Sequence, residues 1–389
     1  MRRNYILAVI FSALMLIVMH GPAYGLELGG VGGMVNGPYL MDSTQTSMTI
    51  MWETSGQGDS EVIYGLECPL SESVKIDEKV RIHEVKLSGL APETNYFYQV
   101  RSQCGSGKAI KSRVFTFKTA VREDSAFSFV VLGDNRTRFW LFKRIMDRAY
   151  AERPEFVLNV GDVVTNGLKK RQWHREFFGP AGKLMARVPT YIAIGNHERD
   201  TEWFYKYVSY PEPENYYSFD YGNAHFAIID SNKELGPDSE EYKWLENDLA
   251  NTQATWNFVA HHHPPYSSDE NDYGDTYKGP STLGEMNTKQ LVPLYEKYGV
   301  DIVWAGHIHV YERTWPIKNG KVDPENGVIY ITTGGAGAPI EDFAPTRSWF
   351  TAKVGRDCHY CLVSIQQGDL IMTAYDIHGN LFDFLKLEK

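Results

Sequence analysis

The sequence predicts two domains, an all-β sandwich over residues 26–121 followed by an α/β layered domain over residues 122–389. Two observations carry this. From Gly37 to Ala120 short strand-like stretches alternate with turn-rich pieces, and after Val121-Arg-Glu-Asp apolar runs ending in polar residues alternate with helical stretches. With 389 residues, 43% hydrophobic and 23% charged, the chain has apolar material for two ordinary cores.

The first element is a leader. Arg2 and Arg3 precede an apolar run from Tyr5 to Met19 and then Gly21, Pro22, Ala23, Tyr24 and Gly25, the pattern of a signal peptide over residues 1–25 with a small-residue cleavage site. A run of that length is short of the roughly 20 residues of a membrane-spanning helix, and no later stretch is longer. The expectation is a secreted or periplasmic protein with no stable membrane span. Loss of Arg2 and Arg3 takes the net charge from −10 to −12, a field that repels polyanions, so no nucleic acid partner is expected.

In the first domain the strand pattern falls on Ser47–Trp52, Glu61–Tyr64, His83–Leu87, Tyr96–Arg101 and Arg113–Lys118. In the second, helical periodicity covers Phe139–Ala151, Glu240–Asn251 and Lys289–Tyr298. Four cysteines suit an exported chain. Cys68 with Cys104 is the expected disulfide, and Cys358-His-Tyr-Cys361 reads as a local bridge, with a redox pair or half a zinc site as alternatives.

The chemistry lies at the ends of five apolar runs of the second domain. Phe127–Leu132 leads to Gly133-Asp134, Phe156–Val160 to Gly161-Asp162, and Tyr191–Ile194 to Gly195-Asn196-His197-Glu198; Phe258–Ala260 leads to His261-His262-His263 and Ile302–Ala305 to Gly306-His307-Ile308-His309. The carboxyl ends of strands in an open α/β sheet face one crevice, so these residues can converge there. Carboxylate, amide oxygen and imidazole form a hard to borderline donor set that suits iron, manganese or zinc. A carboxylate shared by two ions would hold them roughly 3.5 to 4 Å apart, with a bridging hydroxide as nucleophile.

This ordered set resembles the calcineurin-like metallophosphoesterases, and specifically the purple acid phosphatase-like branch with an N-terminal fibronectin type III-like domain; the resemblance implies a catalytic domain that is an α/β sandwich of β-sheets flanked by helices. The resemblance covers about residues 37 to 385. It includes Leu87-Ser-Gly-Leu-Ala-Pro-Glu-Thr-Asn-Tyr96 in the first domain, and Glu214-Asn-Tyr-Tyr-Ser-Phe-Asp220, Trp244-Leu-Glu, His263-Pro-Pro-Tyr-Ser and Tyr311-Glu-Arg313 in the second. It implies that Asp162 bridges two metal ions, that Asp134 and His309 hold the first, and that Asn196, His262 and His307 hold the second. His197 would contact substrate and protonate the leaving oxygen, with Arg136 and His263 as further substrate contacts. His262 is selected from the triple histidine by the family's His-x-Pro, leaving His261 to pack behind it. The implied activity is hydrolysis of small phosphate monoesters, with a phosphodiesterase or nucleotidase, or a catalytically weak binding protein, as alternatives.

Two positions depart from the family. Its usual first motif is Asp-x-His, where this chain has Asp134-Asn-Arg136; its purple members carry a tyrosine three residues after the bridging aspartate, where this chain has Thr165. The first ion would then have only Asp134, Asp162 and His309 from the protein and bind weakly, without the purple charge-transfer colour. Arg136 would either grip a substrate phosphate through its planar fork or form a surface ion pair. Glu198 and Arg313 are expected to orient ligands or hold loops, Trp203, Phe204, Tyr205 and Tyr207 to pack against a loop, and the segment from Tyr266 to Gly284 to rim the cleft.

Overall fold

The computed structural model describes residues 33–105, 107, 109–268, 280–344 and 346–389; the expected leader and most of the expected rim after Tyr266 lie outside the described residues. The N-terminal part is β-rich. Strands β1 (Met34–Met41), β2 (Ser47–Gly65), β3 (Glu72–Ser88), β4 (Asn95–Ser102), β5 (Ile110–Lys111) and β6 (Phe115–Lys118) form one hydrogen-bonded network in which β2 pairs with β1, β3 and β4. Its core gathers Trp52, Val62, Val85, Leu87, Tyr98 and Phe117.

Ser47–Trp52 and Glu61–Tyr64, expected as two strands, are the two ends of β2. Ser55-Gly-Gln-Gly58 reads as a turn, but β3 continues alongside it across a bulge, with Glu53 opposite Ile82 and Gly58 opposite Val80. Glycine is needed at 58 because a Cβ there would stand 2.6 Å from Cys104 Sγ.

The expected Cys68 to Cys104 bridge is absent. All four cysteines are free, and antiparallel pairing of Glu61 with Arg101 and Gly65 with Phe97 sends the two thiols to opposite ends of the β2–β4 ladder. Cys358 and Cys361 are buried, and Cys361 Sγ donates to Thr333 Oγ1 at 3.7 Å.

The second part stacks two sheets. One runs β21 (Leu381–Glu388), β20 (Asp369–Asp376), β19 (His359–Gln366), β7 (Phe127–Leu132), β8 (Phe156–Asn159) and β9 (Thr190–Ile192). The other runs β10 (Tyr217–Tyr221), β11 (Ala224–Ile228), β12 (Trp256–Ala260), β13 (Ile302–Ala305), β17 (Ile329–Thr333), β14 (Tyr311–Thr314) and β18 (Thr351–Gly355), and β15 (Ile317–Lys318) pairs with β16 (Lys321–Val322) apart from both. Aromatic rings fill the space between the sheets: Phe129 lies 5.2 Å from Phe226 and 5.7 Å from Phe258, both edge to face. The α/β sandwich of sheets implied by the resemblance is thus present as a pair of sheets. The motif-bearing strands β7, β8 and β9 belong to one, and β12 and β13 to the other.

The helices Phe139–Ala151 and Glu240–Asn251 have the expected bounds. Phe142, Ile145, Met146 and Ala149 form the buried stripe of the first at helical spacing. Ser239 caps the second, its side chain accepting from Tyr242 N at 3.1 Å. The third differs: helix begins at Met286 and divides into Met286–Lys289 and Val292–Tyr298, because Pro293 has no N–H and tolerates only a helix start.

Candidate metal centre

All five motifs arrive at one place, the shared end of the two sheets. Asp134, Asp162 and His307 take φ values of 55°, 57° and 70°, left-handed backbone that turns each side chain back over the strand it follows. Room is made by glycine. A Cβ on Gly195 would stand 2.3 Å from Asp162 Oδ1, and one on Gly306 2.5 Å from Asp134 Oδ2.

Each carboxylate is pinned through one oxygen. His307 N donates to Asp134 Oδ2 and His197 N to Asp162 Oδ1, both at 2.9 Å. Asp134 Oδ1 is buried with no hydrogen-bond partner, and His309 Nε2 lies 3.5 Å away. An unpaired buried carboxylate oxygen is costly unless a cation meets it, so this atom fits a metal ligand.

The imidazoles are oriented from behind. His262 donates Nδ1–H to the carbonyl of Val160 at 2.8 Å, which leaves Nε2 facing Asn196 Oδ1 at 3.1 Å and Asp162 Oδ1 at 3.4 Å. His309 donates Nδ1–H to the carbonyl of Pro339 at 2.9 Å, and its backbone N donates to Glu341 Oε2 at 2.9 Å. His307 presents the opposite nitrogen, with Nδ1 3.3 Å from Asn196 Oδ1. Such outward hydrogen bonds fix which nitrogen carries the lone pair.

Two triads have donor atoms mutually within 4.8 Å, Asp134 with Asp162 and His262, and His262 with His263 and His307. Electrostatics agree. Burial alone would raise the Asp162 carboxyl, but His262, His197 and Arg136 hold it well below the usual carboxylate range. Burial opposes charge on His262, yet Asp162 and Asp134 push its pKa up to about 10. The two carboxylates favour a cation there, whether proton or metal. Burial and the neighbouring imidazoles push His263 down to about 3 and His307 well below its ordinary value, so both offer the neutral nitrogen that metals bind.

The remaining expected residues fall around this core. His197 donates Nδ1–H to the carbonyl of Thr165 at 2.7 Å and turns Nε2 inward, 3.8 Å from Asp162 Oδ2. Thr165 itself is too short to replace a tyrosine ligand, and its hydroxyl meets Thr137 Oγ1 at 3.4 Å. His263 hydrogen-bonds Ser231 Oγ at 2.8 Å and lies 4.4 Å, ring to ring, from His307. His261 is buried behind, beside Tyr295. Arg136 is not a surface ion pair: it turns inward, Nε to Asp162 Oδ2 at 3.2 Å and Nη2 to His309 Nε2 at 3.1 Å.

Glu198 is fully buried and accepts from the backbone N–H of Gly195 at 2.7 Å, Asp162 at 2.9 Å and Val164 at 3.3 Å, tying β8 to β9 behind the site. Arg313 does not reach the centre; its fork grips Asp383 at 2.7 and 3.0 Å and clamps β14 to β21. Phe204 and Tyr207 pack into the core. Glu341, Ser231 and the carbonyls of Val160, Thr165 and Pro339 were not read from the sequence. A backbone carbonyl has no sequence signature, and Glu341 lies 32 residues from the histidine it holds.

Residues 127–311 match the Calcineurin-like phosphoesterase family, and residues 39–119 match the Purple acid Phosphatase, N-terminal domain family. The chain therefore carries a calcineurin-like phosphoesterase domain, the class that the paired sheets and the donor set define. With a domain before it that matches the purple acid phosphatase N-terminal family, the chain is similar in domain order to the purple acid phosphatases. "Purple acid phosphatase 21" of Arabidopsis thaliana is 30% identical over 276 residues, 66% of this chain and 58% of that protein. "Probable inactive purple acid phosphatase 27" of the same plant is 26% identical over 360 residues, 78% of this chain and 56% of that protein. This chain thus spans little more than half the length of these relatives. "Acid phosphatase type 7" of Danio rerio is 28% identical over 403 residues, 89% of each chain. The structure of a purple acid phosphatase from yellow lupin (Lupinus luteus) seeds superposes with a TM-score of 0.79 at 21% identity, covering 91% of this chain and 74% of that one, a likeness of fold.

Proposed function

We propose that the protein is an exported hydrolase of small phosphate monoesters, with Asp134, Asp162 and His309 at a first metal position and Asp162, Asn196, His262 and His307 at a second. The observation that carries this is the convergence of six donor side chains at one point, among them a buried carboxylate oxygen of Asp134 with no partner in the protein. Iron, manganese or zinc suits these donors. Bound metal would supply positive charge for the phosphoryl oxygens and lower the pKa of the attacking water.

His197 is the proposed leaving-group acid. Its Nδ1–H is committed to Thr165, so Nε2 is the nitrogen that can hold a proton toward substrate. His263, fixed by Ser231 beside His307, is the proposed further contact for a phosphoryl oxygen. Among the described residues no helix is long and apolar enough to cross a membrane, and export rests on the sequence of residues 1–25.

The test is hydrolysis of p-nitrophenyl phosphate, bis(p-nitrophenyl) phosphate and an alkyl phosphate, before and after chelation and return of each metal. The monoester should be preferred and turnover should vanish with chelator. His197→Ala should lower kcat by roughly 10² to 10⁴-fold on the alkyl ester, and by less on the aryl ester, whose oxygen leaves without a proton. Equal loss on both esters would remove His197 as the acid, and no turnover with any metal would leave a binding protein.

A further inference from the structure

The position occupied by Arg136 is unusual for a cationic side chain at a metal centre. Its Nε lies 3.2 Å from Asp162 Oδ2 and its Nη2 3.1 Å from His309 Nε2, with only 15% of the side chain exposed. The tautomer of His309 makes the second contact a true hydrogen bond. With Nδ1–H given to Pro339, the 3.1 Å contact at Nε2 needs a lone pair there, because a guanidinium is donor only. Of the three side chains available to a first ion, two already give that ion's lone pairs to Arg136.

We propose that the guanidinium of Arg136 is the resident cation of the first position, and that a metal ion enters there only by displacing it. The proposal rests on the assignment of Asp134, Asp162 and His309 as metal donors, not on any phosphatase activity. One lone pair cannot serve an N–H and a metal ion together, and two cations sharing Asp162 Oδ2 repel one another. Guanidinium remains charged at every working pH and matches carboxylate geometry, so it is a durable occupant.

The second position shares Asp162 with the first, but through Oδ1, 3.4 Å from His262 Nε2, and not through the Oδ2 that Arg136 holds. Asn196 Oδ1 lies 3.1 Å from His262 Nε2 and 3.3 Å from His307 Nδ1, and His263 adds a third imidazole. Arg136 contacts none of these in the hydrogen-bond pattern. The two positions are thus unequal by construction: the second keeps Asp162 Oδ1 and its neutral donors free of the guanidinium, while the first has a cation on a tether against Asp162 Oδ2 and His309. Asp134-Asn-Arg136 places the guanidinium only two residues from one of the carboxylates of the first position.

The experiment is titration of the metal-stripped full chain with Mn²⁺ by calorimetry, with bound metal counted by mass spectrometry and Mn–Mn coupling read by electron paramagnetic resonance. The wild type should take one ion per chain tightly and a second at least 10-fold more weakly, with no coupled signal until the second binds. Arg136→Ala and Arg136→Gln should each tighten the second ion by 10-fold or more, leave the first within about threefold, and show the coupled signal at two ions per chain. Two variants guard against misfolding, and thermal unfolding of each is compared with wild type. Two ions of equal affinity in the wild type, an unchanged second affinity in both variants, or no metal bound at all would overturn the proposal. Hydrolysis of p-nitrophenyl phosphate is measured alongside. The expected binding pattern without turnover would refute the phosphatase reading and support this one, whereas turnover with two equivalent ions would do the reverse.

Discussion

Single residues around the centre act mostly by satisfying backbone. Glu198 touches no donor atom of the proposed ligands, yet it collects three amides from the two loops that present Asp162 and Asn196. Burial, and then the Asp162 charge, push its pKa up to about 8, a rise that His262 and the amides of Gly195 and Asp162 oppose. Glu198→Ala would leave three buried N–H groups without an acceptor, at about 1 kcal/mol or more each. The expected outcome is a loss of about 3 kcal/mol in urea unfolding, together with weaker metal binding in calorimetry. A variant that unfolds like wild type would show that water replaces the carboxylate. The histidines stood out as candidates after apolar runs, and the resemblance chose among them, but their working nitrogens were not legible, because the carbonyls of Val160, Thr165 and Pro339 choose them.

At the scale of elements, the N-terminal sheet carries a titratable device. His83 of β3 is fully buried, stacked on Trp52 at 4.8 Å, and hydrogen-bonded to Thr54 Oγ1 at 2.7 Å and Ser60 Oγ at 2.8 Å. Burial pushes its pKa down to about 4. The unfolded chain, with an ordinary value near 6.5, binds the proton first as pH falls, so the stability from neutral His83 is present above about 6.5 and lost between 6.5 and 4. The depression corresponds to about 3 kcal/mol. In β11, His225 sits between Asp220 and Asp248, at 2.8 Å from each. Burial opposes its charge, but the two carboxylates raise it to about 9, so its contribution is full below 6.5 and lost as pH rises to 9. Urea midpoints measured from pH 4 to 9 should therefore peak near pH 6.5. His83→Gln should flatten the acid limb and His225→Gln the alkaline limb; unchanged limbs would assign the slopes to other groups.

The whole molecule depends on a polar seam between its two parts. Glu53 of β2, 2% exposed, accepts from Asn36 Nδ2 at 2.6 Å and Tyr207 OH at 2.9 Å and pairs with Lys170 at 2.5 Å. Tyr39 OH donates to the carbonyl of Tyr207 at 3.0 Å, and Tyr98 OH to that of Ala186 at 2.8 Å. Glu53→Ala would leave Lys170 and two buried donors without their acceptor, which should cost about 3 kcal/mol. Because the seam couples two separate cores, calorimetric unfolding should then split into two transitions, where the wild type shows one; a single transition in both would place the coupling in the apolar contacts of Tyr39, Met41 and Met51. Chelation should act on the second part alone, since every proposed ligand belongs to it, and lower only the melting step of that part.

The sequence by itself determined which residues can bind metal and where the motif-bearing strands lie, because apolar runs and the donors that follow them are local patterns. Phe127–Leu132, Ile302–Ala305 and two of the three helices have the expected bounds for the same reason. Only the tertiary structure decided which of the five runs lie in which of the two sheets, that β2 continues through Ser55-Gly-Gln-Gly58, that Cys68 and Cys104 stand apart, and that Arg136 turns inward. Each of these depends on a partner distant in the chain: β3 beside the glycines, the antiparallel register of β2 with β4, and His309 lying 173 residues from the arginine it meets. Local pattern fixes what a residue can do, and packing fixes what it faces.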